Sequence, residues 1–131
     1  MQNVDMSDSI LRSKSYAFAL RIVNLSKYLQ TKKCEYVLSK QILRSGTAIG
    51  ALVRESERAE SKADFAHKLN IALKEADETD FWLSVLHDSG YINTKSHVSM
   101  IKDCQELISI LVASIITAKK NIAAEKANNK N

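Results

Sequence analysis

Carboxylates and histidines at helical spacing are the residues that could do chemistry in this 131-residue sequence. A di-iron site in a helical bundle needs Glu-x-x-His on two helices and a lone Glu on each of two others. The nearest match is Asp64-x-x-His67, and neither His87 nor His97 has an acid three residues before it. The pattern also brings no Ser, His and Asp together as a triad. We therefore expect a protein that is not an enzyme, with no catalytic residue, metal site or cofactor.

The two cysteines are the remaining candidates for reactivity. Cys34 lies beside Lys32 and Lys33, which can favour its thiolate, but no His or second Cys neighbours it in sequence. Cys104 falls on the apolar stripe of a helix, which is typical of a small core residue. Reduced thiols fit the cytoplasm, although a single disulfide is also compatible with two cysteines. We expect both thiols to be inert.

Gly46 and Gly50 lie four residues apart in a predicted helix. No Gly-Lys-Ser/Thr follows them, so they do not form a phosphate-binding loop. Two small residues at this spacing permit close approach of a neighbouring helix, at some cost in helix propensity.

Charge is distributed unevenly along the chain, whose formal net charge is +4. Residues 1–54 hold nine Lys/Arg against three Asp/Glu, and residues 55–88 hold four against nine. A basic half can attract phosphate backbones, and an acidic segment can pair with it within or between subunits. Solvated helix faces of opposite sign would give the same pattern.

A line of cations follows the predicted second helix on the side opposite its apolar face. Positions on this line recur at spacings of four and three residues, and four of the six are cations: Lys40, Arg44, Thr47, Ala51, Arg54 and Arg58. Such a line can track phosphates, because each cation that neutralises a phosphate releases counterions. It can equally pair with Glu75 and Glu78 of the third helix across a subunit interface, or lie in solvent. The sequence leaves these three interpretations open.

Four amphipathic helices are predicted to position these residues. The chain has no proline and three glycines, which excludes a turn-rich β-sandwich or barrel. Apolar residues recur at helical spacing from about residue 9 to 30, from about 34 onward, from 61 to 89 and from 94 to 124. The first stripe consists of Phe18, Ile22, Leu25 and Leu29, and the fourth of Ile101, Cys104, Ile108, Leu111, Ile115, Ala118 and Ile122. Because the loops are short, we predict an all-α, antiparallel up-down four-helix bundle over residues 9–124. Residues 1–8 are predicted to be flexible, and residues 125–131 to form a disordered tail.

Hydrophobic residues make up 45% of the chain, in interrupted stripes. No run approaches the roughly 18 uncharged apolar residues of a membrane span, and the first nine residues contain no apolar block. We expect a cytoplasmic protein that does not contact a membrane.

The third predicted helix is apolar over a wider arc than one bundle seam requires. Ile71 and Trp82 lie roughly 100° round the helix from the main seam, with Glu75 and Glu78 between them. We interpret this arc as a second contact surface, toward another copy of the chain. A partly exposed Trp on a monomer is the alternative. The predicted oligomer interface consists of Arg44, Arg54, Ile71, Glu75, Glu78 and Trp82.

Two long segments resemble those of a known family. They are Gln41-Ile-Leu-Arg-Ser-Gly-Thr-Ala-Ile-Gly-Ala51 and residues 64–83, which include Lys-Glu-Ala-Asp-Glu-Thr-Asp-Phe-Trp. Together they resemble the bacterial 23S rRNA intervening-sequence protein family, whose relatives include the accessory variability determinant proteins of diversity-generating retroelements. The resemblance spans about residues 13–118. Leu52 and Ser56 depart from the Asn and Ala that are usual in the family.

The resemblance implies an antiparallel four-helix bundle that assembles into a ring-shaped homopentamer and binds nucleic acid or a reverse transcriptase through basic surfaces. We predict a non-enzymatic adaptor that binds structured RNA or DNA mainly through phosphates. Few aromatic residues accompany the cations, so we expect little base stacking. The alternative is a protein-binding scaffold, such as a reverse-transcriptase accessory protein, with incidental nucleic-acid affinity. The residues predicted to contact nucleic acid are Arg12, Lys14, Arg21, Lys27, Lys32, Lys33, Lys40 and Arg44.

Overall fold

The computed structural model describes residues 6–129, with side chains from Ile10 onward, and these residues form four α-helices and their loops. Helix α1 covers Met6–Lys32, α2 covers Leu38–Ser56, α3 covers Lys62–Asp88 and α4 covers Thr94–Asn129. Each connecting segment is five residues long. No strand occurs between residues 6 and 129. The all-α class with four helices is thereby confirmed.

Helices α1 and α4 extend beyond the predicted limits of the bundle. Helix α1 begins at Met6, within the segment for which flexibility was predicted, and residues 1–5 lie outside the described residues. Helix α4 continues to Asn129, past the predicted boundary at residue 124. Its last turns contain Ala, Glu and Lys, which are strong helix formers, and this accounts for the extension. The end of the predicted tail, residues 130–131, lies outside the description.

Helix α2 begins at Leu38, whereas the sequence predicted a start near Cys34. Cys34 adopts a left-handed backbone with φ of 50°, which interrupts helical geometry. The carboxylate of Glu35 then accepts hydrogen bonds from the backbone N–H groups of Val37 and Ser39, at 3.3 and 2.8 Å. Burial alone would raise the pKa of Glu35, but the bonds from Leu38, Ser39 and Val37 outweigh it and lower the pKa. Glu35 therefore caps α2 as an anion.

The α3 and α4 boundaries follow the sequence signals. Ser61 Oγ accepts a 3.0 Å bond from the N–H of Asp64, and Asn93 Oδ1 accepts a 2.8 Å bond from the N–H of Ser96. Helix α3 ends at Asp88, and Gly90 turns the chain with a φ of 86°. A positive φ of this kind suits glycine, because other residues would place a Cβ against the backbone.

Helices adjacent in sequence pack against each other, and α1 also packs against α4. Contact positions run in opposite order along α1 and α2. Ser26 Oγ donates to the carbonyl of Ser39 near the connecting loop, while Arg12 pairs with Glu57 at the far ends. The same reversal between α3 and α4 is seen in two pairs, His87–Thr94 and Lys62–Glu125. Helices α1 and α4 pack least closely of the neighbouring pairs.

The core is a seam of apolar side chains that runs along all four helices. Its α1 members are Leu11, Phe18, Ile22 and Leu29, of which the periodicity predicted the last three. On α4 the buried residues are Met100, Cys104, Leu107, Leu111, Ile115 and Ala118. Met100 and Leu107 were not in the predicted stripe, and Ile101 and Ile108, which were, are half-buried. A straight helix with 3.6 residues per turn drifts away from a strict heptad, which explains the difference.

The two helical glycines lie where α1 and α2 approach each other. A Cβ placed on Gly46 would be 2.6 Å from Cγ1 of Ile22, and one on Gly50 would be 3.3 Å from the carbonyl oxygen of Ser15. The prediction that Gly46 and Gly50 permit a close helix contact is confirmed.

Helix α4 is, among residues 6–129, the one helix long and apolar enough to cross a membrane by length and composition. By that criterion, the expectation that no segment of the chain resembles a membrane span is wrong. The buried residues of α4 supply its side of the core, but only 22% of its most apolar 18-residue stretch is buried, and Val112 and Ile116 of this helix are exposed. Gln105 and Ser109 are exposed on the remaining surface of the helix.

Candidate nucleic-acid interface

Three of the cations predicted to contact phosphate are paired with carboxylates of the same chain. Their ion pairs join α1 to the rest of the bundle: Arg12–Glu57 at 3.5 Å, Lys14–Glu106 at 3.0 Å and Arg21–Asp103 at 2.6 Å. Arg21 also donates through Nη2 to Ser99 Oγ at 2.9 Å. Pairing reduces the positive field that each of these side chains can offer to a ligand.

Arg44 is the fourth paired cation and belongs to a cluster on the α2–α3 flank. Its Nη1 lies 3.3 Å from Oε1 of Glu75, and its Nη2 donates to Oε2 of Glu78. Trp82 Nε1 donates to the same oxygen of Glu78 at 3.1 Å, while its ring packs against the core. The bond from Trp82, followed by that from Arg44, lowers the pKa of Glu78. The bond to Glu78 and the charge of Glu75 raise the pKa of Arg44.

The six residues predicted to form the oligomer interface thus lie in more than one place. Arg44, Glu75, Glu78 and Trp82 form the intrachain cluster described above. Arg54 lies apart from them, with its guanidinium carbon 5.5 Å from the centre of the Tyr16 ring on α1. Ile71 is half-buried on α3. The predicted line of cations is also shorter than expected, because α2 ends at Ser56 and Arg58 follows it.

The other four predicted phosphate contacts form a lysine cluster: Lys27, Lys32, Lys33 and Lys40. All four are exposed. Among the described side chains, none has a carboxylate within 4.0 Å of its ammonium group. The bond between Ser26 and Ser39 brings Lys27 and Lys40 to the same level of the α1–α2 pair. At the end of the bundle that holds the α1–α2 loop, the cluster therefore places four ammonium groups without an ion pair beside one loop carboxylate, that of Glu35, which bonds the α2 N-terminus.

Two exposed tyrosines accompany the lysine cluster. Tyr28 is 41% exposed and directly follows Lys27, and Tyr36 is 55% exposed in the α1–α2 loop. The expectation of little base stacking did not consider these rings. The position of Tyr28 directly after Lys27 was the available signal, but helix periodicity alone did not establish that its ring points away from the core.

Histidines and carboxylates do not converge on a metal site in the part of the chain that the structure describes. His87 and His97 stack with ring centres 4.5 Å apart, and His87 Nε2 lies 3.0 Å from Thr94 Oγ1. The other ring nitrogen of His87, Nδ1, lies 3.0 Å from Asp88 Oδ1, so both of its nitrogens are at hydrogen-bond distance from other groups. Asp64 serves the α3 N-terminus, where its carboxylate accepts a 3.2 Å bond from the N–H of Glu60.

The model of the family described as 23S rRNA-intervening sequence protein matches residues 7–113. The chain belongs to the 23S rRNA-intervening sequence protein family. The matched residues include all four residues of the lysine cluster and the whole Arg44 cluster.

A solved structure resembles this 23S rRNA-intervening sequence family member closely. It is a protein of unknown function from the S23 ribosomal protein family of Bacteroides thetaiotaomicron VPI-5482. The two chains share 51% sequence identity with a TM-score of 0.83, over 84% of this chain and 98% of the other. No curated protein matches the chain.

Proposed function

We propose that this member of the 23S rRNA-intervening sequence protein family is a non-enzymatic, cytoplasmic adaptor that binds RNA or DNA through phosphates. The lysine cluster supplies the positive field, and no metal ion, cofactor or membrane takes part. The main support for the proposal is that the cations predicted to contact phosphate differ in whether they form ion pairs within the chain. Four are neutralised within the chain, and four at one end of the bundle are not. Uncompensated, exposed lysines bind phosphates by releasing counterions.

We further propose that the helices form an antiparallel up-down bundle that assembles into a ring. The opposite order of contacts along neighbouring helices supports the first part. Two separate exposed apolar pairs support the second. Tyr16 and Leu20 are 53% and 50% exposed on α1, and Val112 and Ile116 are 39% and 49% exposed on α4.

Two different apolar surfaces on one subunit favour head-to-tail contacts, which close into a ring when the rotation permits. Five copies is the number that the family resemblance implies. A ring repeats the lysine cluster in every subunit, so weak contacts to one nucleic acid add up through avidity.

The experiment that tests phosphate binding compares two charge variants with equal net charge. In the first, Lys27, Lys32, Lys33 and Lys40 are all replaced by Gln. In the matched control, Lys102, Lys119, Lys120 and Lys126 of α4 are replaced instead. The dependence of RNA affinity on salt concentration is measured for both.

We expect the first variant to reduce the slope of log affinity against log salt by about three, because roughly one phosphate contact is lost per lysine. The control should retain most of the wild-type slope. Equal slopes for the two variants would show that total charge, and not the lysine cluster, governs binding.

A protein-binding scaffold is the second candidate function. The exposed apolar pairs on α1 and α4 favour it, because soluble monomers seldom leave contiguous apolar surface without a partner. Under this alternative the partner is another protein, such as a reverse transcriptase, and nucleic-acid affinity is incidental. Wild-type protein that stays assembled but does not bind RNA at low salt would favour the scaffold.

A further inference from the structure

A groove of about 410 Å³ lies between α1 and the start of α4, close to the lysine cluster. Helices α1 and α4 pack least closely of the neighbouring pairs, and the loop before α4 completes the groove. Its volume falls in the range of roughly 300–1,000 Å³ that is usual for clefts that bind small molecules. Leu25, Ile92 and Met100 provide apolar lining, and Tyr28 provides an aromatic ring. The groove was not predicted from the sequence, because its two sides are more than sixty residues apart in the chain.

The polar groups of the groove suit the edge of a nucleobase. Asn24 and Asn93 both line it. Asn93 uses its Oδ1 to cap α4 at Ser96, so its amide NH₂ remains able to donate. The Asn24 carboxamide is exposed and carries both a donor and an acceptor. Amides of this kind, beside an aromatic ring, are the groups that recognise unpaired bases in RNA-binding proteins.

The distribution of charge suits an uncharged group inside the groove and a phosphate outside it. Arg21 lines the groove, but its guanidinium is paired with Asp103 and bonded to Ser99. Its charge is therefore not available to bind a phosphate. The lysines nearest to the groove lie outside it. Lys32 follows Tyr28 by one helical turn, about 6 Å along α1, and Lys95 follows Asn93 by two residues. The groove itself is uncharged overall, and cations flank it at both sides.

We propose that this groove holds one unstacked base of a single-stranded nucleic acid, with Tyr28 stacked on the base and Lys32 on the adjoining phosphate. The proposal rests on the proposed function and narrows its substrate class from nucleic acid in general to unpaired nucleotides. It also replaces the expectation of little stacking, because base contact at Tyr28 adds to phosphate contact at the lysine cluster.

The test uses three probes of similar length: a 12-nucleotide uridine RNA, an abasic 12-mer with the same number of phosphates, and a 12-base-pair RNA duplex. Affinities are measured by fluorescence anisotropy for wild-type protein and for Tyr28→Ala, Tyr28→Phe and Tyr36→Ala. Tyr36→Ala is the matched control, because Tyr36 is an exposed ring at the same end of the bundle that does not line the groove. Thermal melts and light scattering verify that each variant keeps its fold and its assembly.

We expect wild-type protein to prefer uridine RNA over the abasic strand and the duplex. Tyr28→Ala should weaken uridine RNA binding about 5- to 100-fold, the usual loss when one stacked base loses its ring. Tyr28→Phe and Tyr36→Ala should each stay within about twofold of wild type, and Tyr28→Ala should leave abasic and duplex binding unchanged.

Equal losses for all three probes, or no loss for any, would overturn the groove proposal. So would an assembly that falls apart on Tyr28→Ala, since the groove would then be a contact between subunits or a protein site. Salt-dependent binding with no preference for uridine RNA over the abasic strand would refute only the proposal that the groove binds a base. Absence of salt-dependent binding to every probe refutes the proposed function itself.

Discussion

The guanidinium of Arg44 on α2 lies against the carboxylate of Glu75 on α3 in the same chain, with Nη1 3.3 Å from Oε1. The sequence allowed this pair to form between subunits, and the fold forms it within one. Glu78 completes the site, and Trp82 binds Glu78 in turn. The cluster therefore joins two helices of a bundle, and it uses charge that would otherwise be available to a partner.

Replacing Arg44 by Ala should leave the assembly intact. Because Arg44 is 53% exposed, its ion pairs are expected to contribute about 1 kcal/mol or less to the free energy of unfolding. Light scattering should give the wild-type mass, and a urea melt should show only a small loss. Lys68→Ala, which removes another ion pair between α3 and α2, the 3.2 Å contact with Glu55, is the matched control. A fall to the mass of one chain on Arg44→Ala alone would place this residue at a subunit interface.

Replacing Gly46 by Ala should destabilise the bundle. The new Cβ would lie 2.6 Å from Ile22, which is fully buried and β-branched and so cannot rotate away easily. Overpacking costs about 1–3 kcal/mol and better helix propensity returns up to about 1, so we expect a net loss of about 1–2 kcal/mol in urea unfolding.

A double-mutant cycle with Ile22→Ala checks this mechanism. Gly46→Ala should cost less in the Ile22→Ala background, because the atoms it would meet are gone. Additive losses would mean that the two side chains do not compete for the same space.

Helix number and core could be predicted from the sequence because both depend on local periodicity. Phe18, Ile22 and Leu29 recur at helical spacing, and burying one face requires no knowledge of the neighbouring helix. The start of α2 could not be predicted in the same way. It depends on a left-handed backbone at Cys34 and on the carboxylate of Glu35, neither of which produces a hydrophobic pattern.

The cations of the candidate site could be predicted from the sequence, but their ion pairs could not, for a related reason. Sequence identifies a cation but not the carboxylate beside it, since the partner lies on another helix. Lys14 and Glu106 are 92 residues apart, and the fold alone brings them to 3.0 Å. Lys27 and Lys40 carry the same formal charge as Lys14 and differ from it only in what packs next to them.

Stability should depend on pH through Glu78. Its pKa is lowered by the bond from Trp82 and then by Arg44, so its stabilising contribution is complete above the unfolded-state pKa and is lost as pH falls through the folded value. The difference in melting temperature between wild type and Glu78→Gln should therefore shrink from pH 6 to pH 3. Glu60→Gln, in the exposed α2–α3 loop, measures the general effect of removing one carboxylate. The same pH dependence for both variants would rule out the assigned role of Glu78.

The two thiols should react very differently. Cys104 is fully buried and donates to the carbonyl of Ala76 at 3.3 Å; burial, with the charges of Asp80 and Asp77, raises its pKa to about 12. Cys34 is exposed. At pH 8 a disulfide reagent should label one thiol per folded chain and a second only after unfolding. The Cys34→Ser variant should show no labelling while folded, and rapid labelling of that variant would mean that α3 and α4 open readily around Cys104.

Light scattering coupled to size exclusion, with and without a structured RNA over a salt series, tests the proposed assembly and its phosphate binding together. We expect a mass near five times 14.6 kDa and an RNA complex at low salt that dissociates steeply as salt rises. A protein that runs as a single chain, or an assembly that leaves RNA unbound even at the lowest salt, would contradict this expectation.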